Sequence, residues 1–288
     1  MPSVPPEHVC FARVFSIEAT RPQPAEIAEM ATMLPAATPV YLTAVPTVVG
    51  DETVAAATAL RKAGLEPVVH VAARRISSTE ALRDLLARLT GEADVRRLLV
   101  IGGDVEPVGP FPDALAVIQR GRLREAGIEE IGIAAYPEGH PRIPLARLAA
   151  SLDEKIASAA AQGLRVHIVT QFSFSAEHIL SWLRKTRAGG ISHPVRIGLA
   201  GPTSLPQLIR FAKRCGVAAS LRGLTSGTAS ALIGNVGPDR IIEALAAAGP
   251  LGAVHPHYFS FGGVVATARY ARRIADMECA AVQAAAHS

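Results

Sequence analysis

Short apolar runs alternate with amphipathic segments along almost the whole chain. Runs rich in Val, Ile and Leu, such as residues 98–101, are typical of strands buried on both faces of a parallel sheet. Apolar positions at helical spacing fill the intervening segments; residues 51–64, for example, begin with acids and end with a Gly. The pattern predicts eight strands, each followed by a helix.

The predicted strands cover residues 9–20, 39–46, 66–75, 96–104, 130–141, 165–174, 194–202 and 253–261, the fifth running into a Pro/Gly loop. The predicted helices cover residues 24–34, 51–64, 77–89, 113–127, 144–163, 175–190, 205–216 and 264–285, with further helical segments at 228–234 and 238–248. We expect Ser77 or Ser78 to cap the third helix. Such repeated units predict an α/β fold, a (βα)8 TIM barrel, as one domain over residues 1–288. A doubly wound sheet with a small extra domain is the alternative.

Composition fits a buried parallel sheet without a membrane span. The chain is 49% hydrophobic with a mean hydropathy of +0.27, but no apolar run approaches the ~20 residues that a span needs. The N-terminus lacks the basic and apolar regions of a secretory signal. Three widely spaced cysteines, Cys10, Cys215 and Cys279, form neither a disulfide framework nor a metal motif. We therefore expect a cytoplasmic protein without a membrane partner.

Charge adds little to this picture. The net charge is +4 and the isoelectric point 9.2, with basic residues scattered in short pairs. Because no basic stripe is interleaved with aromatic residues, nucleic-acid binding is not expected. The sequence is compatible with a homo-oligomer but does not specify one.

A carboxylate stands out at the end of the first apolar run, where Glu18 follows Val, Phe and Ile residues. Burying an ionised carboxylate is costly, so such a residue is either paired or poised as an acid. Barrel enzymes keep their chemistry at the carboxyl ends of the strands, which is where Glu18 lies. The alternative is a Glu that ends the strand and faces water.

Polar side chains also end the other predicted strands and are expected to line one pocket with Glu18. They are Thr43, His70, Asp104, Tyr136, His140 and Gln171, joined by Gln207 and Phe211 on the helix after the seventh strand. This mostly uncharged set suits an extended heteroaromatic ligand better than a bare phosphate.

The sequence predicts no metal site. His255 and His257 are two apart on a strand and share a face, but a third ligand is not evident. His167 and Cys10 lie inside apolar runs and are interpreted as core residues. The sequence Gly102-Gly103-Asp104 lacks the spacing of a nucleotide-binding loop.

Five motifs in order resemble the methylenetetrahydrofolate reductase family, over roughly residues 11–268. AAYPEGHP at 134–141 is similar to the family's Tyr-Pro-Glu-x-His-Pro signature, and IVTQFSF at 168–174 to its Ile-Thr-Gln-Phe-Phe-Phe stretch. FSIEATRP at 15–22 stands where the family has Phe-Glu-Phe-Phe-Pro-Pro. PVVHVAARR at 67–75 and PQLIRFAK at 206–213 match the strand with a His and the helix with a folate-facing Gln.

The resemblance implies a barrel that reduces 5,10-methylenetetrahydrofolate to 5-methyltetrahydrofolate with NADH or NADPH. Glu18 matches the general acid that protonates the departing nitrogen, and Asp104 the aspartate that stabilises the iminium cation. Gln171 and Gln207 match the amides that hold the pterin, and Phe211 matches the ring that stacks against folate or nicotinamide. Residues matching the cofactor side are Thr43, His70, Asp104, Tyr136, His140 and Lys155.

Departures from the family pattern concern the flavin. Gly102 stands in place of an Arg, and in the stretch 151–163 only Lys155 remains of the three residues that grip the FAD diphosphate, with Glu154 in place of the Arg. Phe259 and Gly263 replace a Tyr and a basic residue. Losing two or three charge-assisted bonds of about 1.5–3 kcal/mol each weakens binding at least a hundredfold. FAD binding is therefore doubtful, and direct hydride transfer from NAD(P)H is expected.

Two other hypotheses use the same barrel. A folate-dependent one-carbon or methyl transferase would bind tetrahydrofolates and leave NADH untouched. A non-catalytic folate-binding subunit would tolerate replacement of Glu18. The sequence does not choose between NADH and NADPH.

Overall fold

A closed barrel of eight parallel strands forms the centre of the protein in a computed structural model that describes residues 11–44, 50–215, 217, 235–249 and 251–286. The barrel strands are β1 (Ser16–Ala19), β2 (Pro39–Leu42), β3 (Glu66–Ala72), β4 (Arg97–Ile101), β5 (Glu130–Ala135), β6 (Arg165–Thr170), β7 (Val195–Ala200) and β10 (Val254–Phe259). They pair in the order β1-β10-β7-β6-β5-β4-β3-β2, and β2 pairs with β1 to close the ring. The predicted (βα)8 TIM barrel is confirmed.

Helices cover the outside of the barrel. They are α1 (Pro24–Met33), α2 (Gly50–Lys62), α3 (Thr79–Glu92), α4 (Ala114–Arg120), α5 (Leu145–Ala161), α6 (Ala176–Ala188), α7 (Leu205–Cys215), α8 (Asp239–Ala246) and α9 (Val264–Ala286). Ser78 caps α3 by accepting a hydrogen bond from the Ala81 amide, as predicted. None of the helices in the described ranges is both long and apolar enough to cross a membrane.

Alternate residues of each strand face the outer helices and the barrel interior. Ile17, Val40, Ile131 and Ile197 belong to the large apolar core between strands and helices. The interior holds a smaller apolar cluster of Tyr41, Val68, Leu99 and Val169, and these lie among polar side chains. The interior is therefore packed by a mixed set of residues.

Helix α4 is shorter than predicted. The pattern predicts a helix over 113–127, but α4 ends at Arg120, and Arg122 adopts a left-handed conformation with φ of 51°. A Cβ at Gly121 would lie 2.5 Å from the Val117 carbonyl oxygen, so the chain leaves the helix where only Gly fits. Residues 121–127 form turns.

Several strands are also shorter than their apolar runs. The first predicted strand covers residues 9–20, but β1 extends only over Ser16–Ala19. Two predictions lie outside the described part of the chain: Cys10, with residue 9 beside it, and the helical segment at 228–234. The third strand ends at Ala72, after which Ala73–Arg75 form one 3₁₀ turn. A small antiparallel sheet was not predicted; it joins β8 (Thr203–Ser204) to β9 (Asn235–Val236).

Candidate active site

Glu18 lies inside the barrel mouth, on the inward face of β1. Its carboxyl oxygen Oε2 is 3.4 Å from His257 Nε2 and 3.8 Å from His70 Nε2, and the side chain is 16% exposed. Burial raises the pKa of Glu18 above its ordinary value, and His70 only partly opposes that rise. Such a carboxyl group retains its proton at pH values where an exposed Glu has lost it.

The two neighbouring imidazoles are neutral. Burial lowers the pKa of His70 to about 4 and that of His257, which also faces the positive charge of Arg196, to about 3. Glu18 is therefore not locked into an ion pair with either imidazole near neutral pH. A carboxyl with a raised pKa between uncharged rings is suited to act as a general acid.

Helix α7 brings a further set of residues to the mouth. Gln207, Phe211 and Cys215 are spaced by four and so share one helical face. Burial and the nearby charge of Glu18 raise the pKa of the Cys215 thiol to about 11. The Gln207 side-chain oxygen accepts a hydrogen bond of 3.0 Å from the Thr203 hydroxyl. Its amide nitrogen is the group left to face a ligand.

Phenylalanine rings form a wall beside this face. Phe211 stacks on Phe261 with ring centroids 4.2 Å apart and planes inclined by 14°. Phe172 contacts Phe261 and Phe259 edge-on at 4.9 and 5.4 Å, and the Phe259 ring lies 5.2 Å from His257. The wall thus reaches from α7 to the immediate surroundings of Glu18, and it offers flat apolar faces.

Gln171 follows β6, and its side-chain oxygen accepts a hydrogen bond of 3.1 Å from the Phe172 amide. This contact fixes the orientation of the side chain. As with Gln207, the amide nitrogen is the donor that remains for a ligand.

Asp104 lies at the rim after β4 and is bound to Arg75 by a short ion pair. Its side chain is 61% exposed, and the hydrogen bond from Arg75 holds its pKa below the ordinary value. Asp104 is therefore an ionised carboxylate facing water, in contrast to Glu18.

The residues predicted for the cofactor side lie on several loops. Thr43 donates a hydrogen bond of 2.9 Å to the Thr20 hydroxyl at the ends of β1 and β2. Tyr136 and His140 contact each other edge-on at 5.2 Å in the loop after β5. Burial raises the pKa of Tyr136 and lowers that of His140. Both side chains are thus neutral at neutral pH.

Lys155 is the cation that the sequence predicts for a flavin diphosphate, whereas Arg147 and Arg75 are ion-paired within the protein. Arg147 pairs with Glu154 at 2.7 Å along α5, and Arg75 pairs with Asp104. Burial lowers the pKa of Lys155, which disfavours its charged form. A charge-assisted bond to a diphosphate would require the two arginines to leave their present carboxylate partners.

Metal ligands are not assembled in the described ranges: no group of three or more His, Cys, Asp or Glu side chains there is arranged to hold an ion. His257 faces Glu18, whereas His255 pairs in register with Arg196 further down the barrel. His167 is buried, as predicted for a core residue.

Sequence reasoning missed several neighbours of the predicted site. Ser16 lies 2.9 Å from His257 Nδ1, Arg75 pairs with Asp104, and Phe261 stacks on Phe211. Ser16 stands two residues before Glu18 and so shares its face of the strand. In a closed barrel the first and last strands are neighbours, so β10, which carries His257, lies beside β1. This rule was the signal that could have placed His257 near Glu18.

The family profile and the curated relatives that match this chain carry the same description. The family profile described as methylenetetrahydrofolate reductase matches residues 20–221. The 5,10-methylenetetrahydrofolate reductase of Pectobacterium carotovorum is 31% identical over 152 residues, which cover 52% of this chain and 49% of that protein. That of Salmonella typhimurium is 28% identical with the same coverage. The chain therefore aligns with about half of the length of these relatives.

Among solved structures, dihydropteroate synthase from Thermus thermophilus superposes with a TM-score of 0.50 and 15% identity, covering 92% of each chain. This likeness concerns the barrel fold alone. Glu18, Ser16 and His257 all lie outside the stretch matched by the family profile.

Proposed function

Because the chain belongs to the methylenetetrahydrofolate reductase family, we propose that it reduces 5,10-methylenetetrahydrofolate to 5-methyltetrahydrofolate with NADH or NADPH. The observation that supports this most directly is the buried Glu18 carboxyl between two neutral imidazoles. Opening the five-membered ring of the substrate needs a proton donor at neutral pH, and Glu18 has the environment of one.

In the proposed reaction, Glu18 donates its proton to the departing nitrogen as the carbon–nitrogen bond breaks. The remaining nitrogen and the one-carbon unit form an iminium cation, which accepts a hydride from the reduced nicotinamide. The nicotinamide leaves oxidised, and Glu18 regains a proton from water. The Asp104 carboxylate supplies negative charge for the cation, moderated by its ion pair with Arg75.

Binding of the folate falls to Gln171, Gln207 and Phe211 in this proposal. The two amide nitrogens donate to the pterin edge, since their oxygens are engaged by Phe172 and Thr203. Phe211 offers a flat face to the folate or the nicotinamide.

We place hydride transfer directly between the nicotinamide and the folate, without a bound flavin. This version is supported by Gly102, Glu154 and Gly263, which stand where the family has basic residues. The residues predicted for the cofactor side are then proposed to hold the hydride donor: Thr43, His70, Asp104, Tyr136, His140 and Lys155. One domain over residues 1–288, a cytoplasmic location and a homo-oligomer stay predictions.

The test is a turnover assay on purified protein, with and without added FAD. Oxidation of NADH or NADPH that depends on methylenetetrahydrofolate, in a protein without flavin absorption, would support the proposal. Stoichiometric, tightly bound FAD would reject the flavin-free version. Tetrahydrofolate binding without any nicotinamide oxidation in either state would favour a one-carbon transferase or a non-catalytic folate-binding subunit.

A further inference from the structure

Barrel closure sets two buried polar residues behind Glu18. Strands β1 and β10 pair in parallel, with Ser16 opposite His257 and Glu18 opposite Phe259. Ser16 and His257 are fully buried, so each polar atom there must find its partner within the protein. Ser16, His257 and Glu18 form a line that runs from the barrel interior toward its mouth.

Counting protons along this line distinguishes two bonding arrangements, one for each His257 tautomer. The Ser16 hydroxyl lies 2.9 Å from His257 Nδ1 and donates to the Pro256 carbonyl at 3.5 Å. A hydroxyl has one proton, so if it goes to Pro256, then Nδ1 must carry the imidazole proton and donate to Ser16. A neutral imidazole with its proton on Nδ1 has a lone pair on Nε2.

That lone pair faces Glu18 Oε2 at 3.4 Å. All three contacts are hydrogen bonds only when Oε2 carries a proton. In the other tautomer the Ser16 proton points to Nδ1, and the contact with Pro256 is lost. The full set of bonds is thus available to the protonated acid and not to the carboxylate.

We propose that Ser16 and His257 are positioning residues that hold Glu18 in its proton-bearing form and direct its second oxygen, Oε1, toward the substrate. This rests on the proposed function, in which Glu18 is the general acid. Neither residue touches the reacting atoms; both act through Glu18.

Packing keeps the imidazole in this orientation. The Tyr41 ring contacts the His257 ring edge-on at 4.6 Å, and Phe259 contacts it at 5.2 Å. The titratable groups that face Glu18 are His257 on β10, His70 on β3, Tyr41 on β2 and Cys215 on α7. The pKa of Tyr41 is raised to about 12 and that of Cys215 to about 11, so none of the four carries charge at neutral pH.

The test is Ser16→Ala, which removes the acceptor for Nδ1–H and frees His257 to donate from Nε2 to a carboxylate. A general acid works only while protonated, so activity falls as pH rises through its pKa. Losing one neutral hydrogen bond should move this falling limb of kcat/KM to lower pH by about 0.5–1 unit. Ser16→Cys keeps the side-chain volume with a weak sulfur acceptor and should move the limb in the same direction.

Two variants separate positioning from a merely structural role. Ser16→Thr keeps the hydroxyl and should restore the wild-type limb. Tyr41→Phe removes a buried hydroxyl from the neighbouring strand without touching Nδ1, and should leave the limb unmoved. An unchanged limb in Ser16→Ala and Ser16→Cys, with active wild type, would overturn the inference while the proposed function stands.

A readout without substrate completes the test. The carbon-13 NMR titration of the Glu18 carboxyl, assigned by its absence in Glu18→Gln, should show the same downward shift in Ser16→Ala. If wild type shows no turnover at any pH and this shift is still seen, the proposed function fails and the positioning stands. If the midpoint does not move, the positioning is refuted.

Discussion

Two glutamates in the same barrel interior have opposite acidities. Glu18 at the mouth and Glu130 toward the other end are 16% and 14% exposed, and each faces an imidazole. Burial raises the pKa of Glu18, whereas the close contact with His167 lowers that of Glu130 to about 2. The extent of burial therefore does not decide which of the two is an acid.

The difference lies in the partners. His167 Nδ1 is 2.7 Å from Glu130, and Arg97 and Arg165 each lie 3.4 Å away, so this carboxylate is held ionised. In the described part of the chain, the ion-pair partners within reach of Glu18 are two neutral imidazoles, at longer distances. The Tyr41 hydroxyl lies 2.7 Å from His167 Nε2. We call the side chains at this end of the barrel interior the lower group: Glu130, His167, Arg97, Arg165 and Tyr41. One end of the interior is built for ion pairing and the other for keeping a proton.

The comparison predicts that neutralising Glu18 lowers the rate of turnover, whereas neutralising Glu130 lowers stability. The change Glu18→Gln should have the largest effect. Removing a general acid costs about 10²–10⁴-fold in rate, so kcat/KM should fall by that factor. The thermal midpoint should stay within a few degrees of wild type. Steady-state kinetics and a melting curve check this, and turnover within threefold of wild type would place the acid elsewhere.

Glu130→Gln should instead affect stability. It removes the carboxylate that Arg97, Arg165 and His167 share, although Arg165 keeps Glu129 as a partner, and this should cost about 1.5–3 kcal/mol in the free energy of unfolding. The folded fraction should turn over at close to the wild-type rate, because Glu130 does not line the mouth. Urea unfolding with active-site titration measures both, and a large rate loss in fully folded protein would contradict the division between the two ends.

Gly132→Ala should destabilise the lower group from the side. A Cβ there would lie 2.7 Å from His167 Nε2 and 2.9 Å from Leu99 Cδ1. Overpacking of this kind costs about 1–3 kcal/mol. Urea unfolding again measures the loss; an unchanged midpoint would mean that the His167 ring can move aside, and that its contacts with Tyr41 and Glu130 are not fixed.

The smallest expected effect is a loss of stability on mild acidification. The unfolded histidines titrate at an ordinary pKa of 6.5, whereas folded His70 and His257 titrate at about 4 and 3. Stability is thus greatest above pH 6.5 and falls below it, and these two imidazoles together account for about 1–2 kcal/mol at pH 6. Glu130 adds stability that is lost only below its ordinary pKa of 4.5.

Urea unfolding at pH 7 and 6, in wild type and Glu130→Gln, separates these contributions. The loss between the two pH values should be the same in both proteins. A loss absent from wild type would mean that the two imidazoles are charged in the folded state, which would change the interpretation of Glu18 as well.

Much of the barrel could be predicted, because periodicity and capping residues act locally. Ser78 and the eight apolar runs are examples. The early end of α4 was not predictable from periodicity, since it depends on a close approach at Gly121. The pairing of β8 with β9 depends on contacts across a long stretch of sequence, which a local pattern does not encode.

For the candidate site, the position of polar residues at the strand ends predicted that Glu18 and the other candidates lie at the barrel mouth. It did not predict the hydrogen bonds and ion pairs that they form. The pairing of Arg75 with Asp104 comes from two neighbouring loops, and the stack of Phe211 on Phe261 joins distant segments. Such contacts depend on side-chain reach and rotamers. The sequence therefore predicted which residues gather there, and the structure supplied their partners.

Because Ser16 and His257 meet at the junction between β1 and β10, the surroundings of Glu18 come from segments that are far apart along the chain. During synthesis on the ribosome, Glu18 emerges early, and more than two hundred further residues are added before His257, the nearer of its two imidazole neighbours, is made. The surroundings of Glu18 are therefore incomplete until the last barrel strand docks. Catalytic competence should thus report completion of folding rather than any earlier intermediate.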